Sequence, residues 1–120
     1  MTGSAVLAFP PLAKTALAHH GWSWTEDGFF RLEGTILELY IGNPHATLSV
    51  DADGEIWHVD LAPPSRTIAA GFTENVASPG DEVIAVGNRS KDPDEKSMKA
   101  SRITVNGRHY DVYPRRVPAG

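Results

Sequence analysis

Five histidines carry most of the chemistry available to this 120-residue chain: His19, His20, His45, His58 and His109. Neutral imidazole is the commonest side-chain metal ligand, and it suits copper, zinc and nickel. There is no cysteine, so disulfides, thiol catalysis and thiolate metal sites are excluded. His19 and His20 follow Ala16-Leu17-Ala18, a small-x-small triplet of the kind behind which signal peptidase cuts. A cut there makes His19 the first residue. Its free α-amine, its imidazole and the imidazole of His20 then lie within a few bonds of one another. Amine and imidazole nitrogens together favour Cu(II) on softness and affinity order. The expected metal group is His19, His20 and His45, with copper first. Without the cut, the same letters are the polar end of a flexible leader.

Which histidines can meet depends on the strands that carry them. The stretch "HATLSV-DADG-EIWHVDL" contains Asp53-Gly54, the strongest two-residue hairpin signal. With these as the central turn residues, Val50 faces Trp57, Leu48 faces Val59 and Ala46 faces Leu61, all apolar on one face. The other face pairs Ser49 with His58 and Thr47 with Asp60. A slip of one residue would scramble this sorting, so the register is well specified. His45 then stands four strand positions from the level of His58, about 13 Å away, too far to share one ion at bonds of about 2 Å. Ser49, His58 and Asp60 have the residue types of a hydrolytic triad. They lie side by side on an outer face with no oxyanion hole, and no G-x-S-x-G elbow exists. No catalytic residue is assigned, and the three are read as a solvated β face.

Trp22 and Trp24 alternate with Gly21 and Ser23, which would put both on one side of an extended segment. There they would stack on a ligand, or else close the open end of the fold as core. Trp22, Trp24 and Asn43, the last in the Asn43-Pro44-His45 turn, are the expected ligand contacts. In "KDPDEK", Asp92, Asp94 and Glu95 cluster, but a calcium loop needs a longer alternating pattern with a glycine, and Lys91 and Lys96 offset the charge. A solvated loop is expected.

The remaining elements are strands and turns. In "FFRLEGTILELYI", Phe30, Leu32 and Ile36 share one phase, while Leu37, Leu39 and Ile41 share the other. A strand that switches faces needs a bulge or sharp coil, with Gly34 nearby to permit it. Pro64, Ser65 and Gly71 outline a short helix. "PGDEVIAVGNRS" is a strand entered by a Pro-Gly turn. "MKASRITV-NG-RHYDVYP" is a second hairpin, in which Ile103 faces Tyr110 and Arg102 faces Asp111. The expected fold is all-β with a small α element: an OB-like five- or six-stranded β-barrel with one short helix between strands three and four. A small β-sandwich is the alternative.

Hydrophobic residues at 41% and charged ones at 22% describe a folded chain with one modest core. The net charge of -4, with 11 scattered basic residues, offers no phosphate track, so no nucleic-acid partner is expected. No apolar run approaches the roughly 20 residues of a membrane span. "GSAVLAFPPLAKTALA" is small, apolar and free of acids, although no positive charge precedes it and Pro10-Pro11 interrupts it. The expected organisation is a signal peptide or flexible leader over residues 1–18, a barrel over 19–114 and a loose tail over 115–120.

"AHHGW", "LEGTI", "NPHATL" and "PGDEVIAVGNRS…MKA" together resemble a family of small exported bacterial proteins classed as a domain of unknown function. The resemblance covers roughly Ala18 to Pro114. It implies an OB-type barrel, located in the periplasm or secreted, that begins after its signal peptide with a paired histidine and carries a downstream Asn-Pro-His. It implies no activity. The metal group also resembles the histidine brace of copper proteins, in having an N-terminal histidine and a second one elsewhere. The expected function is non-enzymatic binding of a small ligand, a copper ion first. The alternative is an envelope interaction module that holds a protein partner or small organic ligand on the barrel face.

Overall fold

The computed structural model describes residues 21–118. The leader reading of residues 1–18, and His19 and His20, lie outside the described residues. Six strands and one short helix follow in order: β1 (Phe30–Tyr40), β2 (Thr47–Ala52), β3 (Glu55–Asp60), α1 (Pro64–Ala69), β4 (Glu82–Arg89), β5 (Ser97–Val105) and β6 (Arg108–Asp111). The sheet order is β3-β2-β1-β4-β5-β6, and an additional β3–β5 pairing closes five strands into a barrel, with β6 added at its edge. This is the OB-like barrel expected from the element order.

Both hairpins have the registers read from their turns. Val50 opposes Trp57, Leu48 opposes Val59, Ser49 opposes His58 and Thr47 opposes Asp60. Asp53 and Gly54 take φ of 55° and 85°, the double positive φ of a tight hairpin turn. In the second hairpin, Ile103 opposes Tyr110 and Arg102 opposes Asp111. The guanidinium grips the carboxylate through two hydrogen bonds of 2.6 and 3.1 Å.

The phase change in β1 is a bulge. Ile36 pairs with Val50 and Glu38 with Ser49, which leaves Leu37 as the extra residue, pointing out of the core. The first half of β1 pairs with β4 and the second half with β2. The bend lets one strand serve both walls, as closure of a small barrel demands. Gly34 acts differently from the bulge. A β-carbon there would collide with the carbonyl oxygen of Asp51, so glycine permits a close backbone approach where β1 passes from one partner to the other.

Ile36, Leu48, Val50, Val59, Leu61, Phe72, Met98 and Ile103 fill the interior. Helix α1 buries Thr67, whose hydroxyl donates to the Ala62 carbonyl at 2.9 Å. Gly71, at φ 94°, ends the helix and turns the chain into buried Phe72. The segment read as a loose tail is held at its start. Pro114–Arg116 form a 3-10 turn, and the Arg116 guanidinium lies 3.9 Å from the centre of the Trp22 ring. Among the described residues, no helix is long and apolar enough to cross a membrane.

Candidate functional site

The chain enters the barrel along its outer wall, and a set of long-range hydrogen bonds fixes that entry. Thr25 bridges to Ser90, Glu26 N–H donates to the Arg89 carbonyl at 2.8 Å, and Lys91 N–H donates to the Trp24 carbonyl at 3.0 Å. The Asn88 side-chain amide donates to the carbonyls of Glu26 at 2.9 Å and Gly28 at 3.1 Å. At the other end of the segment, the Lys99 ammonium donates to the Gly21 carbonyl at 2.8 Å.

Within this entry segment the chain turns. The Trp22 carbonyl accepts from both the N–H (3.1 Å) and the hydroxyl (2.7 Å) of Thr25, and the Trp24 indole N–H donates to the Gly21 carbonyl at 3.1 Å. The two tryptophans therefore do not share one side of an extended strand. The hydroxyl of Thr25 closes a local turn that the alternating pattern did not reveal. Trp24 is buried, whereas Trp22 stays half-buried on the wall.

Around Trp22 the structure gathers a cationic and aromatic cluster. Its ring meets Tyr113 edge-on with centroids 5.1 Å apart. Lys99 lies 4.8 Å from the Trp22 ring centre and 5.5 Å from that of Tyr113, and Arg66 lies 5.5 Å from the Tyr113 ring centre. Lys99 is 2% exposed. Burial pulls its ammonium below the ordinary lysine pKa, the charge of Asp60 opposes the shift, and Arg116 adds to it. Burial likewise raises the Tyr113 phenol, with Asp60 adding to the rise and the two arginines opposing it.

Asp60 is buried at the next strand over, in register with Lys99. It accepts from His58 Nε2 at 2.7 Å, and this hydrogen bond raises the His58 pKa against the effect of burial, with the charges of Asp60 and Glu95 adding to the rise. The face read as solvated is thus covered at Asp60. His58 is committed to that carboxylate and opposes Ser49 without completing a relay to it. His109 is paired with the Thr104 hydroxyl at 2.7 Å on the exposed second hairpin.

His45 is half-buried just before β2. The Ala46 N–H donates to the Ala62 carbonyl and the Leu61 N–H to the Ala46 carbonyl, both at 2.9 Å, so His45 sits at the far end of β3. Asn43 precedes a cis peptide bond to Pro44, is exposed, and its carbonyl accepts from the Tyr40 hydroxyl at 2.8 Å. In the charged loop, Glu95 turns to the Ser90 hydroxyl at 2.6 Å and Asp92 accepts from the Asp94 N–H at 3.0 Å, so the three carboxylates do not converge. Among the described residues, no three His, Asp or Glu side chains group as a metal site.

Lys99, Arg66, Tyr113, Arg116 and Asn88 escaped the sequence reading. Each lies far from Gly21–Gly28 in the chain, and no local spacing links them to it.

Residues 8–99 match a family of unknown function, DUF6152. The chain belongs to this family. No curated protein matches it. Among solved structures, the chain is similar to one in the S. pombe Stn1–Ten1 complex, with 19% identity and a TM-score of 0.52 over 64% of this chain and 57% of that one. It is similar also to the ZRD-deleted mutant of TiaS in complex with agmatine, with 20% identity and a TM-score of 0.52 over 70% of this chain and 26% of that one. The DUF6152 chain thus spans little more than half of the first and about a quarter of the second. At this identity the likeness is one of fold, and it agrees with the barrel topology.

Proposed function

We propose that this DUF6152 protein is a non-catalytic, exported barrel that binds a metal ion, copper first, through His19, His20 and His45. The observation that carries the reading is the Lys99 hydrogen bond to the Gly21 carbonyl. It seats the residue next to His20 on the wall formed by β3 and β5. The direction of the entry segment also favours the reading. Thr25 lies at Ser90, which bonds to Ser97, whereas Gly21 lies at Lys99, so the chain runs antiparallel to β5. Traced back toward His20, it heads for the end of β3 that His45 flanks.

Counting two strand spacings and two residues along β2, His45 lies on the order of 12 Å from Lys99 along the wall. Two residues preceding Gly21 span up to about 7 Å, and their imidazoles extend the reach. The donor set fits a borderline metal: imidazoles and, after cleavage behind Ala18, a primary amine. His58 and His109 are held elsewhere by Asp60 and Thr104. Bound copper would supply Lewis acidity and redox chemistry; the residues of this chain would hold and orient it.

The test is a Cu(II) titration at neutral pH of the chain starting at His19. Tight one-to-one binding is expected, lost when one residue is added before His19 and weakened at least about tenfold in His45→Ala. Lys99→Met, which unseats Gly21 without touching a histidine, should weaken it by a similar factor through lost pre-organisation. Affinity indifferent to both the extension and His45→Ala would remove the terminal chelate.

A second reading rests on exposed apolar groups. Leu37 and Tyr40, 40% and 51% exposed, line a shallow cleft with Pro79, which suits an interaction module. A stoichiometric envelope partner whose binding fails in Leu37→Asp and ignores copper would favour it.

A further inference from the structure

A second site, lined by no histidine among the described residues, lies on the C-terminal side of Trp22. Arg66 from α1 and Arg115 and Arg116 from the final turn line a cleft of about 420 Å³ with Tyr113 and Pro114. The buried Lys99 ammonium lies against the rings of Trp22 and Tyr113, the second of which lines the cleft. Four cations therefore converge on a chain whose net charge is -4. Asp60 is the nearby acid, and His58 holds it at 2.7 Å. Among the described residues, no carboxylate pairs with Arg66, Arg115 or Arg116.

Like charges brought together in excess of the one nearby carboxylate repel one another, and a low-dielectric wall behind them focuses their field. The position of Arg66 over the Tyr113 ring and of Arg116 over the Trp22 ring offsets part of that repulsion, and each guanidinium carries planar edges of N–H donors. Such edges match the paired oxygens of an oxyanion, and several fixed cations select a multiply charged one over a single carboxylate. We propose that this cleft binds a small, multiply charged phosphoryl ligand, with Arg66 and Arg116 as bidentate donors, Arg115 at the rim and Lys99 as fixed charge beneath the aromatic floor. The size of the cleft suits a small molecule. Among the described residues no histidine lines it, and a phosphoryl titration without metal tests the proposal apart from copper binding.

The test titrates the full-length protein with inorganic pyrophosphate by calorimetry at constant ionic strength, with acetate as the singly charged comparison. Saturable one-to-one binding to pyrophosphate is expected, with none to acetate. Arg66→Gln and Arg116→Gln should each weaken it about tenfold, the scale of one charge-assisted hydrogen bond. Arg31→Gln, which removes an exposed arginine paired with Glu33 on β1, should leave it unchanged. An indole resonance of Trp22 that shifts with the same saturation curve would place the ligand at the cluster. No saturation in the wild-type protein, an equal response to acetate, or full affinity in Arg116→Gln would each overturn the proposal. The wild-type titration decides the matter even where a variant fails to fold.

Discussion

Lys99 shows how one side chain organises a wall. Its ammonium leaves water to reach one backbone carbonyl and two aromatic faces. Desolvating a cation costs several kcal/mol, and such pairings return that cost only in part. The Gly21 carbonyl keeps the Trp24 indole as a second donor, so removing the lysine does not orphan it. Lys99→Met should therefore change the stability of the barrel by less than about 1 kcal/mol. Amide exchange at residues 21–25 should quicken all the same. A loss of several kcal/mol in denaturant unfolding would show that Lys99 supports closure itself. At His58 the reasoning concerns pH. Its folded-state pKa is raised above the ordinary 6.5, first by the hydrogen bond to Asp60. The pair thus contributes in full below the unfolded pKa, and its contribution fades as pH rises through the raised folded value. The imidazole is nearly half exposed, which holds the effect to roughly 0.5 kcal/mol. His58→Gln should cost that much near pH 5.5 and almost nothing near pH 8.5, as read from urea midpoints. An equal cost at both pH values would mean that the charge on His58 contributes nothing.

Elements were legible wherever their signal was local. Asp53-Gly54 and Asn106-Gly107 each have both central φ angles positive, and the registers on either side follow from counting outward. The switch of phase in β1 announced a bulge, although apolar spacing could not say that Leu37 rather than a neighbour would be squeezed out. The work of Gly34 was not legible, because it depends on the Asp51 carbonyl of another strand. Gly87 on β4 has the same relation to the Lys99 carbonyl, beside a second bulge that skips Ser101. A methyl group at either glycine meets backbone that cannot swing aside. Gly34→Ala and Gly87→Ala should each destabilise the fold by roughly 3 kcal/mol, the upper range of overpacking. Gly107→Ala at the exposed turn, where only the positive φ is strained, should cost about 1 kcal/mol. Thermal midpoints of the three variants test this ranking, and near-equal values would mean that the strands shift apart at little cost.

The whole molecule depends on contacts that local periodicity does not encode. Closure rests on a short parallel pairing of β3 with β5, His58 to Asp60 against Ser97 to Lys99. The entry segment is held by Asn88 and Lys99, more than sixty positions further along the chain. The candidate site was legible to the same limited degree: the histidines stood out by type, whereas the cationic cluster is assembled from α1, β5 and the final turn. The sequence shows Arg66 only within a short helix, Lys99 only within a hairpin strand and Arg116 only within a loose tail. The final turn also covers Trp22, because Arg116 stacks on its ring while Tyr113 meets its edge. Deleting residues 114–120 removes the arginine and leaves Tyr113 in place. Trp24 and Trp57 are buried, so a change in accessibility would report on Trp22 alone. The truncated chain should keep its far-UV circular dichroism and lose about 1 kcal/mol of stability, the scale of a partly desolvated cation–π contact. Its tryptophan emission should shift to the red, and acrylamide should quench a larger fraction of it. Arg116→Ala should reproduce most of that change, since the stacked guanidinium rather than the chain beyond it shields the ring. Unchanged quenching in both variants would mean that the turn does not cover Trp22 in solution, and would leave the entry segment held by Lys99 and by Asn88 to Lys91.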